Sequence, residues 1–242
     1  MVRIIKQLVP ISLLVLLVAC GGDPEPSSGT STGGFPYEEQ LQSVQAGVDQ
    51  FQEQNGVLPI KTFDETMTDY ERYQVDFRQL VPGYMHDAPA SAYENGGNFY
   101  YTLIDVENDP EVRVIPVLVM HEANQFEREV NDYTRTHGYP PLDEMVAPGI
   151  FALDYEAMGL DEQPVVSSPY FSTTLPLYLD RTGQVVIDYA IDLNRVLQEY
   201  DGVPEDESDI RSILTDEFPI APVYSVPYEL DNGEPKITGK NE

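Results

Sequence analysis

An offset of 82 residues dominates this chain. Leu41, Val44, Val48 and Phe51 share one face of a helix predicted over 37–54. Ala123, Phe126, Val130 and Tyr133 repeat that spacing in a second helix predicted over about 122–136. The pairs Val48/Val130, Phe51/Tyr133, Gly56/Gly138 and Pro59/Pro141 all stand 82 residues apart, so both helices leave through a glycine stop and a following proline. Two segments with the same apolar face need two similar partners to cover them. A fold built from a repeated unit answers that need.

The match continues in order with small gaps. Residues 73–80 line up with 151–158 at an offset of 78, and each reads as a short helix. Strands are predicted at 99–104, entered through Asn95-Gly96-Gly97, and at 175–179, entered through Phe171-Ser172-Thr173-Thr174. Partner strands follow at 112–120 and 184–189. The expected fold class is therefore α+β, a tandem duplication of a helix, a short helix and an antiparallel β-hairpin. The first unit spans 37–120 and the second 121–200. A short helix closes the second unit near Leu193, Val196 and Leu197. Residues 201–242 then read as an acidic linker to Asp209 and a short helix from Ile210 to about Phe218. Beyond it come an extended segment over the surface to Leu230 and a frayed end from Asp231.

The amino terminus fixes the expected compartment. Arg3 and Lys6 precede an apolar run of about 12 residues, too short for a spanning helix, which needs roughly 20. The run ends in Leu17-Val18-Ala19-Cys20-Gly21-Gly22, which resembles the lipobox of bacterial lipoproteins. That resemblance implies that 1–19 is a signal peptide and that Cys20 carries a diacylglyceryl group. The chain would then sit on the outer face of the cell membrane. Cys20 is the single cysteine, so an internal disulfide and a thiolate metal cluster are both excluded. Residues 20–36, rich in Pro, Gly, Ser and Thr, read as a flexible tether.

Charge narrows the partners. Without Arg3 and Lys6 the chain holds about 11 Lys+Arg against 42 Asp+Glu. Such a surface repels nucleic acid and anionic headgroups, so neither is a partner. The acids are spread along the sequence, as on a surface adapted to salt. With 41% hydrophobic residues and 16 tyrosines the chain can still fill a core.

Phe51-Gln-Glu-Gln-Asn-Gly56-Val-Leu-Pro59, its counterpart from Tyr133 to Pro141, and Leu80-Val-Pro-Gly-Tyr84 with Pro89 partly resemble the globular module of type IV pilins and pseudopilins. The long apolar helix that packs pilin filaments is missing from both units, so the resemblance does not imply filament assembly. The chain as a whole is similar to a family of uncharacterised Bacillus-type membrane lipoproteins, some labelled binding proteins of ABC transporters.

Candidate chemistry is sparse. His86, His121 and His137 have no zinc spacing, and His137 suits a helix C-terminus. Asp76 and Asp154 hold equivalent positions and read as local caps or turns. Asp105, Glu107 and Asp109, and the acidic run ending at Asp209, offer oxygen ligands for Ca2+ without the EF-hand pattern. They read more simply as solvated loops. Tyr70, Tyr73, Tyr84, Tyr93, Tyr100 and Tyr101 suit a core whose polar tips reach the surface. No nucleophile elbow or phosphate loop appears, so no catalytic or cofactor-binding residue is expected. The expected role is non-enzymatic: a surface-anchored interaction or accessory protein working with another envelope protein. The alternative is a solute-binding lipoprotein of an ABC-type transporter. The sequence leaves its ligand and process unnamed.

Overall fold

A computed structural model describes residues 38–63, 67–199 and 209–239. The leader, Cys20, the 20–36 segment and 201–208 of the acidic linker lie outside them. The described chain is α+β, with antiparallel strands throughout its named sheets.

Helix α1 (Glu38–Asn55) buries Val44, Gly47, Val48 and Phe51, the face its spacing predicts. It stops at Gly56, whose φ of +70° suits a residue without Cβ and whose N–H donates to Gln52 O at 2.8 Å. Two single turns follow, α2 (Asp69–Arg72) and α3 (Phe77–Leu80), then strands β1 (Phe99–Ile104) and β2 (Glu111–Pro116). Asp76 caps α3 by accepting the Arg78 N–H at 3.2 Å. Gln74 and Val75 form β-bridges rather than helix. The Val75 N–H donates to Tyr101 O, and the Leu103 N–H donates to Tyr73 O, which lays this stretch along β1. Alternate β1 residues Phe99, Tyr101 and Leu103 enter the core.

The strand expected to Met120 ends at Pro116, and helix α4 (Val117–His137) begins at once. The correction has a physical cause. Pro116, at φ −63° and ψ 127°, lacks an N–H and stands at the helix N-cap position. The run from Val117 to Met120 is too short to tell a strand period from a helical one. Val119, Ala123, Phe126 and Val130 form the buried stripe, so α4 continues across the expected boundary at 120. It exits on Gly138 at φ +85°, whose N–H donates to Thr134 O at 2.7 Å.

Strands β3 (Leu142–Ala147) and β4 (Ile150–Leu153) then form a hairpin turned by Pro148 and Gly149. The short helix expected over 151–158 is thereby corrected, because its first residues pair with neighbouring strands. Asp154 holds the following turn, accepting the Ala157 N–H at 2.9 Å. Strands β5 (Val165–Ser167), β6 (Thr174–Asp180) and β7 (Val185–Ile187) complete a five-stranded sheet. Its order is β3-β4-β6-β5, with β7 also on β6. Helices α5 (Ala190–Glu199) and α6 (Ser212–Glu217) follow.

The same local bonds recur in the two regions. Ile60 pairs antiparallel with Val75, and Leu142 with Leu153. The Asp76 N–H donates to Pro59 O at 2.7 Å, and the Asp154 N–H to Pro141 O at 2.9 Å. Phe99, Tyr101 and Leu103 on β1 are matched by buried Leu175, Leu177 and Leu179 on β6.

The carboxyl-terminal segment overturns its expectation most clearly. Instead of lying on the surface, it buries Ile220, Ala221, Val223, Val226 and Tyr228. The Val114 N–H donates to Pro219 O at 2.8 Å and the Ala221 N–H to Val114 O at 2.9 Å, on β2. A little further on, the Ile187 N–H donates to Tyr224 O at 2.8 Å, on β7. The segment is thus a strap tying the sheet of one unit to the sheet of the other. Its prolines suit the task, since the carbonyls of Pro219, Pro222 and Pro227 all accept hydrogen bonds. The end expected to fray forms a last hairpin, β8 (Tyr228–Asp231) and β9 (Glu234–Ile237). Asn232 at φ +55° and Gly233 at φ +86° make its turn.

Candidate ligand pocket at the junction of the two units

Where the strap passes between the units, it closes a partly enclosed pocket of about 350 Å³. That volume lies within the range of about 300–1,000 Å³ typical of small-molecule sites. Its walls come from four stretches of chain. Thr68, Glu71 and Gln74 belong to the first unit, and Met120, Asn124 and Glu127 line one face of α4. Gln184, Val185 and Val186 lead into β7, and Tyr224, Ser225 and Val226 come from the strap. The α4 residues fall at i, i+4 and i+7, beside the stripe that α4 buries in the core.

Glu71 is almost fully buried. The Thr68 hydroxyl donates to its carboxylate at 2.7 Å, and the Thr68 N–H reaches it at 3.4 Å. This arrangement turns the Glu71 side chain back over the start of α2. Burial raises the Glu71 carboxyl above its ordinary value, and the charge of Glu127 adds to the rise. Burial also raises Glu127, helped by repulsion from Asp180. The Tyr224 hydroxyl is pushed well up by burial and by both glutamates, and it hydrogen-bonds to Glu71 and Asn124. Tyr224 sits at φ +55°, a left-handed conformation that bulky residues seldom adopt. Asp180 is spent locally, since one of its oxygens accepts from the Thr182 N–H, the Thr182 hydroxyl and the Gln184 N–H. Among the described residues no Lys, Arg or His lines the pocket.

A second concavity, about 1090 Å³ and much more open, lies on the first unit. Its charges are largely matched: Lys61 Nζ meets Glu94 at 2.5 Å and Arg78 Nε meets Asp76 at 2.8 Å. Tyr93 and Tyr100 stack with a tilt, their centroids 4.7 Å apart, in its wall.

The residues singled out in the sequence fall elsewhere. Cys20 lies outside the described residues. His86 and His121 are exposed; the first pairs with exposed Asp87 at 2.5 Å. His137 lies against Tyr133 O at 3.0 Å and stacks on the Tyr133 ring at the end of α4, as expected of a helix terminus. Asp105, Glu107 and Asp109 form a turn in which Asn108 donates to Asp105 at 2.7 Å. Asp209 is gripped by Arg211, whose Nη2 lies 2.5 Å from it. Among the described residues no group of three or more His, Cys, Asp or Glu is placed to hold a metal ion. Tyr101 is buried and Tyr93 exposed; Tyr70, Tyr73, Tyr84 and Tyr100 lie between. Neither glutamate of the junction pocket stood out in the sequence, because its walls converge only in the fold. The one local signal was Thr68-x-x-Glu71, a capping-box spacing.

Residues 37–116 match the family model of the YphF family N-terminal domain, an uncharacterised family. The match begins just before α1 and stops at the last residue of β2, so it covers the first unit and none of α4. No curated protein and no solved structure matches the chain. Among the described residues no helix is long and apolar enough to cross a membrane.

Proposed function

We propose that this protein is a lipid-anchored, non-enzymatic accessory protein of the outer cell-membrane face that receives a small solute in its junction pocket. The observation that carries this reading is the partly enclosed, polar-walled pocket built jointly by both units, α4 and the strap. The Cys20 lipobox supplies the anchor, and another envelope protein is the expected recipient of the bound state. Exposed histidines paired only with a carboxylate or a backbone carbonyl fit the non-enzymatic role. We also read the two units as a tandem duplication; the recurring Gly56/Gly138 exits and Asp76/Asp154 bonds support that.

The alternative is the solute-binding component of an ABC-type transporter, and the pocket between two units favours it in part. Such components close about a hinge, whereas here the strap bonds to both Val114 and Ile187 and resists separation. The accessory reading therefore leads.

The test is thermal unfolding of the mature protein across a panel of neutral, anionic and cationic solutes and Ca2+. A ligand at about 100 times its Kd stabilises by about 2.7 kcal/mol, a readily measured rise in Tm. A rise lost in Val186→Trp, which fills the pocket, supports the reading; a flat panel removes it. Mass spectrometry that finds an unmodified thiol at Cys20 removes the anchor.

A further inference from the structure

We infer that the junction pocket selects a small organic cation, a protonated primary amine, and that Glu127 is its counter-ion. This rests on the reading of the pocket as a solute site and names the chemical class it takes. Three features of the wall point the same way. First, among the described residues it carries two carboxyl groups, Glu71 and Glu127, and no basic side chain, so an anion would meet repulsion. Second, the two carboxyls are differently employed. Glu71 is occupied by the Thr68 hydroxyl, the Thr68 N–H and the Tyr224 hydroxyl. Glu127, half-buried, makes no hydrogen bond or ion pair among the described residues, and the charge of Asp180 repels it. A half-buried carboxylate facing a cavity without a partner is costly, and a donor-rich cation removes that cost.

Third, the size and the remaining lining favour an organic cation over a bare metal ion. No set of three ionisable ligands converges among the described residues. A volume of about 350 Å³ leaves room for a carbon skeleton beside the charged group. Asn124 offers an amide oxygen to a further N–H donor, and Met120, Val185 and Val226 offer an apolar wall to the skeleton. An ammonium carries three donors and no acceptor, which suits a wall whose charged groups only accept.

The experiment is calorimetric titration of the full mature chain with ethylamine and 1,4-diaminobutane, beside glycerol, acetate and CaCl2. The expected result is saturable binding of at least one amine, with no heat from acetate or glycerol. Glu127→Gln should weaken amine binding at least tenfold while leaving Tm within a degree or two. Glu129→Gln, exposed on the same helix, should change nothing. Glycerol binding that Glu127→Gln leaves intact would overturn the cation class yet keep the pocket a solute site. Ca2+ binding with the same dependence on Glu127, and none by amines, would overturn it in favour of a metal. Silence from every probe, in a protein whose panel shows a Tm rise with some other solute, would overturn it as well.

Discussion

The two units share a frame but differ in how the chain is turned between equivalent bridges. In the second unit, Leu142 and Leu153 are joined through the tight Pro148-Gly149 turn, and the segment zips into the β3-β4 hairpin. In the first, Ile60 and Val75 make the same bridge, but the longer stretch between them includes α2, and no named strands pair there among the described residues. A short closed turn brings the next residues of both arms together, whereas a long connection must be ordered before further pairs reward it. The longer route has a use, because it carries Thr68 and Glu71 into the junction pocket. The frame is common to both halves, and the chemistry sits where they diverge.

The most severe test of this comparison exchanges the residues that enter the equivalent strands. Thr173 leads into β6 two positions before Leu175, and Gly97 leads into β1 two positions before Phe99. A Cβ at Gly97 would lie 2.1 Å from the Ser91 carbonyl carbon, a contact only backbone movement can relieve. Gly97→Thr is therefore expected to cost more than about 3 kcal/mol, enough to leave the protein unfolded or insoluble. Circular dichroism of a folded variant with wild-type Tm would break the claim that this entry is built around glycine.

The next contrast lies in the helices that follow each hairpin. Val119, third residue of α4, and Asp192, third residue of α5, are both buried, one apolar and one ionisable. Burial chiefly raises Asp192 to about 6, with Asp188 adding to the rise, while Ser168 and Arg195 oppose it. One of its oxygens, Oδ1, has no partner, and the other accepts from Ser168 at 2.8 Å. Tyr170 and Tyr189 both feel its charge. The folded state thus holds this proton between pH 4 and 6, where the unfolded chain has released it. Stability conferred by Asp192 therefore falls as pH rises through that window and levels off above it, by about 3 kcal/mol in all. Urea midpoints of Asp192→Asn should lack this decline and exceed wild type at pH 8; a parallel pH profile would refute the assignment.

Smaller effects separate the two moorings of the strap. On the first unit it is held by backbone bonds to Val114, whereas on the second two buried tyrosines add side-chain bonds. Tyr170 donates to Ile220 O at 3.2 Å and Tyr189 to Val223 O at 3.1 Å. Tyr189→Phe leaves a buried carbonyl unpaired and is expected to cost about 1–2 kcal/mol, measured by chemical denaturation. The smallest effects should be equal across the units. Gly56→Ala and Gly138→Ala place a Cβ in open space at φ +70° and +85°, so each should cost about 1 kcal/mol from the left-handed backbone alone. Unequal costs would mean that the two helix exits are not equivalent.

The sequence revealed what depends on local spacing. The buried faces of α1 and α4, the glycine exits, the capping role of Asp76 and the paired strands β1-β2 and β6-β7 all follow from residues within a few turns of one another. It misled where a local pattern fits two periods, as at Val117 to Met120. It also misled where distant partners convert a helix-like run into a strand, as at Ile150 to Leu153. The last hairpin was signalled by Asn232-Gly233, a strong turn dipeptide that the acidic composition around it concealed. The pocket was beyond reach for a different reason. Glu71, Glu127 and Tyr224 are widely separated along the chain, and only the docking of the strap brings them to one cavity.

Because the strap follows β2 and β7 in the sequence, neither sheet is finished until residues 219–224 have emerged. A product cut short before Pro219 would keep its helices and its β1-β2 and β3-β4 hairpins yet present two unpaired strand margins, along β2 and along β7, to any neighbouring chain. The order of synthesis is thereby written into the fold: a stretch made after both sheets is the one that seals them against self-association.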